Sequence, residues 1–141
     1  MKIEAYAVRQ PDGKAEPFAY ERRISKNELL VKISHCAITT GDVQMMNNAW
    51  GDSKFPLVAG HEIIGTIEQS GSNVEDLKNG DRVGVGYQLE ACFNCEFCRE
   101  GNEQFCPKQK VIGVDFHGGL AKHIIVDGRL AFKIPRRLDS A

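Results

Sequence analysis

The sequence predicts a mainly β domain with few and short helices. Three observations predict it. Short apolar runs rich in β-branched residues recur between Gly, Asp and Asn breaks. The first of these runs alternates apolar with polar side chains. The chain also carries 14 glycines, the residue that supplies the backbone angles tight turns need.

Taken in order, Lys2–Val8 sets Ile3, Ala5 and Ala7 against Lys2, Glu4 and Tyr6, a period of two that fits a strand with one buried face. Glu28–Ile38 is the second strand. Thr40–Asn48 reads as a short helix, polar at its start and with Val43 and Met46 three apart on one side. His61–Glu68, Arg82–Val85 and Leu120–Val126 are the remaining strands. No repeat, low-complexity tract or Pro/Ser-rich linker divides the chain. Its 141 residues suffice to bury about two-thirds of the unfolded surface around one core, and are too few for two full enzyme domains. The ending, Ile134 to Ala141, is abrupt and reads as a cut within a longer protein.

With 18 Lys and Arg against 19 Asp and Glu, and no run of like charge, nothing draws the protein toward nucleic acid or an anionic membrane; a small ligand is expected. The N-terminus has no apolar stretch followed by a cleavage site, and no window of 18 apolar residues occurs. A soluble, cytoplasmic protein is the expectation.

Cysteine placement carries more information. Cys92, Cys95, Cys98 and Cys106 have the spacing C-x2-C-x2-C-x7-C, while Cys36 stands alone upstream. Without a secretory signal, such crowding points to metal rather than disulfides. Short steps let a loop fold back and place four sulfurs around one ion, a closed and structural zinc site. The energetics agree. Ordering backbone costs roughly 1–2 kcal/mol per residue, and only Phe93, Phe97 and Phe105 offer large apolar surface in this loop. Metal binding, about 10–16 kcal/mol in small zinc peptides, supplies what so small a core lacks. An iron–sulfur cluster is the chief rival, because C-x2-C-x2-C also opens the bacterial ferredoxin motif, but that motif closes with three residues rather than seven. A redox Cys-x-x-Cys pair leaves two cysteines unexplained, and buried apolar thiols do not suit a loop containing Asn94, Glu96, Arg99 and Glu100.

A second set is weaker. Cys36 closes the run Glu28–Ile38, where simple alternation puts it with Lys32 and Ser34, opposite Leu29, Val31 and Ile33, and so facing a cleft. His61 and Glu62 open the next apolar strand with an imidazole and a carboxylate, both able to bind zinc or to support its ligands. Taken singly, a cysteine suits packing, a histidine a satisfied polar role and a glutamate a solvated one, so both readings stand.

At this point the residues resemble the zinc-dependent medium-chain dehydrogenases, above all the cinnamyl alcohol dehydrogenase branch. Four stretches carry the resemblance: the cysteine spacing; Gly60-His61-Glu62-Ile63-Ile64-Gly65 with Gly71 and Val74; Gly80-Asp81-Arg82-Val83-Gly84-Val85; and Gly118-Gly119-Leu120-Ala121. It covers nearly all 141 residues. What it implies is a GroES-like catalytic domain over 1–141, a partly open β-barrel with short helices and a structural zinc lobe. The Rossmann dinucleotide-binding domain would follow, and no strand–G-x-G-x-x-G–helix pattern occurs here.

The resemblance further implies a catalytic zinc on Cys36 and His61, with Glu62 beside it as an alternative ligand and Asp42 orienting the histidine. A cysteine past residue 141 would complete the set, so one tightly held zinc per chain is expected, with any second one substoichiometric. The implied chemistry is exchange of hydride between an alcohol or aldehyde and NADP or NAD. The implied parent is a homodimer through the missing domain, and the isolated chain is expected to lack turnover. The family's proton-relaying hydroxyl falls at Gly41, leaving Thr39, Thr40 or water for that task. Trp50 aligns with an aromatic near the substrate channel, or else anchors its loop. His35, His117 and His123 are expected to bind no zinc. A free-standing zinc-binding β-barrel acting in protein interaction is the alternative, and a co-chaperonin reading has no need of a four-cysteine lobe.

Overall fold

The structure, a computed structural model, describes residues 1–139. A five-stranded antiparallel sheet is built from β3 (Glu28–Ala37), β4 (Glu62–Ser70), β5 (Arg82–Val85), β8 (His123–Asp127) and β9 (Ala131–Lys133), in the order β8-β3-β4-β5-β9. A hairpin of β1 (Lys2–Ala7) and β2 (Glu16–Glu21) and a small pair of β6 (Gln88–Glu90) and β7 (Lys110–Val111) complete the strands. Helices are confined to α1 (Thr40–Met46), α2 (Glu96–Arg99) and two single 3-10 turns, so the expectation of a mainly β domain with few helices holds.

β1 buries Ile3, Ala5 and Ala7 and exposes Lys2, Glu4 and Tyr6, as its alternation dictates. β2 went unread because Pro17 stands inside it; a proline is tolerated there since the strand pairs on one side only. The turn that joins the two strands is marked by Pro11-Asp12-Gly13, with Asp12 at φ 58° and the Gly13 N–H donating to the Gln10 carbonyl.

Two expectations are corrected. The strand expected over Leu120–Val126 begins only at His123. Before it, the chain crosses the domain: Leu120 N–H donates to the Ala59 carbonyl, its own carbonyl accepts from Tyr6 N–H, and Ala121 bridges Ala5. This crossing ties the hairpin to the body. In α1, Val43 is exposed and the buried positions are Asp42 and Met45, a stripe rotated from the expected Val43 and Met46. A buried carboxylate is invisible to a rule that seeks apolar residues, and its role appears below.

The main core joins Leu29, Val31, Ile63, Ile67, Val83 and Val85 with Ile124 and Val126, the inward residues of four neighbouring strands. A satellite cluster under the hairpin packs Tyr20 against His117 with the rings tilted 56° and centroids 4.5 Å apart, and Phe18 edge-on to His117 at 5.3 Å. Burial pushes the Tyr20 hydroxyl up to about 12 and holds the His117 imidazolium below the usual histidine range. The sign for stability follows. Above about pH 6.5, His117 is neutral folded or unfolded; as pH falls, the unfolded chain takes up the proton first, so stability is lost. The melting temperature is expected to drop on acidification below that point, and His117→Gln to flatten the drop, in thermal melts compared at pH 7.5 and 5.

Candidate metal centres

The four-cysteine loop hangs between β6 and β7. Phe93, at φ 51°, turns the chain back within the first Cys-x2-Cys step, Cys95 caps the single turn of α2, and Gly101 at φ 77° ends it. All four sulfurs lie within 4.8 Å of one another, with Cys92–Cys98 at 3.9 Å and Cys95–Cys98 at 3.5 Å. A tetrahedron with metal–sulfur bonds of about 2.3 Å needs sulfurs ~3.8 Å apart, close to the separations here, so the set suits one zinc.

Backbone donors point the same way. The Sγ of Cys92 accepts from the N–H groups of Asn94 and Cys95 at 3.5 and 3.3 Å, and that of Cys106 from Cys92 and Lys108, each at 3.4 Å. These donations favour thiolates and bring the Cys92 thiol down to about 6, whereas burial and its sulfur neighbours push Cys98 up to about 12. No pair of these sulfurs is a disulfide. Among the described residues, this is the one group of three or more ligating side chains gathered closely enough for an ion.

The second set is organised by Asp42, a residue with no solvent exposure. Its Oδ1 accepts from Gly60 N–H at 2.7 Å and lies 3.0 Å from His61 Nδ1; its Oδ2 accepts from the Thr39 N–H at 2.9 Å and the Thr39 hydroxyl at 3.2 Å. Thr39 in turn caps α1 by accepting from Asp42 N–H, a reciprocal capping box. One carboxylate therefore fixes the start of the helix, the turn at Gly60 and the histidine ring. Because the carboxylate only accepts, Nδ1 is the donor in this pair, and in a neutral ring Nε2 is then the nitrogen open to a ligand.

Cys36 reaches the same turn from β3. A Cβ on Gly60, which sits at φ 97°, would come within 2.6 Å of Cys36 Sγ, and one on Gly119 within 2.8 Å; only glycine leaves room for the sulfur. The predicted facing of Cys36 is corrected, however. A register shift between Ile33 and His35 breaks the alternation of β3 against β4, so Cys36 packs with Ile33 against the main core rather than standing with Lys32 and Ser34. It still reaches a cleft, of about 820 Å³, shared with Phe18 and Leu120. Burial first, then the charges of Asp42 and Glu62, push its thiol up to about 11, partly offset by the Glu62 N–H.

His61 and Glu62 line a different cleft, of about 350 Å³, with Ala37, Val85 and Phe132. The structure thus brings Cys36, Asp42 and His61 to one turn but does not gather Cys36, His61 and Glu62 into a three-ligand cluster. Glu62 is exposed at the head of β4, paired with Ala37. Thr40 is exposed in the first turn of α1, while the Thr39 hydroxyl is committed to Asp42. Gly41 faces His61, since a Cβ there would lie 3.3 Å from Cε1.

Sequence reasoning passed over Tyr87, whose ring stands edge-on to His61 at 5.8 Å; nothing in its local pattern signals that contact. Trp50 is 56% exposed and does not anchor its loop. His35 lies beside Ser34 and lines both clefts, His117 packs among rings and His123 lies 2.9 Å from a Glu68 oxygen. No helix of the described residues is long and apolar enough to cross a membrane.

Known proteins share the sequence and the fold of this chain. Over 148 aligned residues the chain is 39% identical to probable cinnamyl alcohol dehydrogenase 6 of Arabidopsis thaliana, covering 98% of this chain and 41% of that protein. Its fold superposes on CAD from Helicobacter pylori, solved in complex with NADP(H), with a TM-score of 0.91 at 27% identity, covering 97% of this chain and 42% of that one. It likewise superposes on the cobalt- and zinc-bound thermostable alcohol dehydrogenase of Pyrobaculum aerophilum, with a TM-score of 0.83 at 26% identity over 99% and 43% of the two chains. The chain spans about two-fifths of the length of these relatives. Residues 25–136 match the model of the alcohol dehydrogenase GroES-like domain, and the chain belongs to that family.

Proposed function

We propose that this chain is the zinc-binding catalytic domain of an oxidoreductase that interconverts alcohols and aldehydes with NADP or NAD, the dinucleotide being held by a domain outside these residues. The observation that carries the proposal is the buried Asp42, which holds His61 through Nδ1 and the turn at Gly60, against which Cys36 packs. Cys36 and His61 would hold a zinc here, which when bound would supply a Lewis acid for an alcohol or aldehyde oxygen and so support hydride exchange.

The chain's own residues do the rest. Cys36 and His61 supply soft and borderline ligands, and the raised Cys36 thiol gives up its proton only to a strong competitor such as a metal. Glu62 offers a carboxylate at the rim, as an alternative ligand. Proton exchange with solvent falls to Thr40 or to water, because the Thr39 hydroxyl already serves Asp42. The four cysteines hold a second, structural zinc. The substrate is a small alcohol or aldehyde, and the whole protein is proposed to act in the cytoplasm as a homodimer.

The test uses the complete protein that contains this chain, with NADPH and an aryl aldehyde. Aldehyde-dependent oxidation of NADPH is expected, falling at least ~100-fold in Cys36→Ala and His61→Ala. Undiminished turnover in both variants would remove the proposed site.

A further inference from the structure

We propose that Arg129 is a positioning residue for the four-cysteine zinc loop: from the turn after β8 it reaches over to clamp Phe93 in its left-handed turn. The inference rests on reading that loop as a zinc site.

Phe93 stands between Cys92 and Cys95 at φ 51°, a conformation that a bulky side chain avoids unless its surroundings hold it there. The turn it makes aims the N–H groups of Asn94 and Cys95 at the Cys92 sulfur, so losing it would disperse the ligands. The Phe93 ring is held from outside the loop. Arg129 lies with its Cζ 3.6 Å from the ring centroid, inside the range of a cation–π contact.

Arg129 is itself immobilised. It sits in the 3-10 turn Gly128–Leu130 directly after β8, and both Asp127 oxygens accept along one edge of its guanidinium, Nε to Oδ1 at 2.8 Å and Nη2 to Oδ2 at 2.7 Å. Asp127 is buried and also accepts from the Arg129 N–H at 3.0 Å. A bidentate fork of this kind fixes direction as well as distance. The guanidinium is held in its charged form first by its hydrogen bonds to Asp127.

The cation that holds Phe93 comes from outside the loop. The nearest cation within the loop, Arg99, turns instead to the Asn94 side chain at 2.9 Å. Asp127, Arg129 and Phe93 thus form a strut from β8 to the first cysteine turn, acting on the zinc without touching it.

The test is zinc release from the zinc-loaded protein to a colorimetric chelator. Arg129→Gln is expected to release zinc about tenfold faster, Arg129→Lys to fall between, and the gap between wild type and Arg129→Gln to narrow with added salt, which a purely steric role would not produce. Phe93→Leu should also speed release and make the further change Arg129→Gln less than additive. Circular dichroism of the zinc-loaded variants checks that the sheet is intact; should Arg129→Gln fail to fold, Arg129→Lys and Phe93→Leu decide alone. Release from all these variants at the wild-type rate overturns the strut, while a wild type that carries no zinc overturns the zinc reading beneath it.

Discussion

Cys95→Ser is expected to lower the melting temperature by ~10 °C or more, while Cys36→Ser leaves it nearly unchanged. Apart from the Arg129 clamp on Phe93 and a Gln88 hydrogen bond to the Glu103 carbonyl, the loop from Cys92 to Cys106 has little apolar packing to hold it. Phe97 and Phe105 touch at 6.1 Å yet remain 44% and 62% exposed, and the strands beneath it, β6 and β7, are three and two residues long. Loss of a structural metal belongs to the small class of changes that cost more than ~4 kcal/mol, and in a domain of this size each kcal/mol moves the midpoint by ~2–8 °C. Cys36 is half-buried between Gly60 and Gly119, and exchanging sulfur for oxygen there changes little volume, for a cost within ~1 kcal/mol. Thermal melts of both variants check the contrast, and equal shifts would mean that the two sites have exchanged roles.

Asp42→Ala is expected to act on stability and on the second metal site together. It removes the acceptor of the Gly60 and Thr39 N–H groups, the Thr39 hydroxyl and the His61 ring. Each buried donor left without a partner costs ~1–3 kcal/mol, so a total of ~3–5 kcal/mol in urea denaturation is expected. Asp42→Asn keeps the shape but turns an amide NH2 toward one of these donors. It should cost less stability and still weaken cobalt or zinc binding at His61 by ~10–100-fold. Metal affinity equal to wild type in a folded Asp42→Asn protein would leave Asp42 a role in the helix cap alone.

Much of this was legible in the sequence because the signals are local. The β1 alternation, the Arg82–Val85 strand and the four-cysteine spacing each lie within a few residues, and the structure puts every one where the pattern says. What escaped depends on distant partners. The extra residue in β3 appears only when that strand is paired with β4, and it turns Cys36 to the other face. β2 is interrupted by a proline, and β9 is three residues held against β5. Asp42 reads locally as a polar residue at a helix start, and its burial follows from Gly60 folding over it. The grip of Arg129 on Phe93 joins two segments with no motif in common.

The most direct measurement is the zinc content of reduced, carefully desalted protein, followed by a melt with and without a strong chelator. About one tightly held zinc per four-cysteine loop is predicted, with a melting temperature that falls sharply once the chelator removes it. Protein without zinc, whose melting curve the chelator leaves in place, would contradict the account.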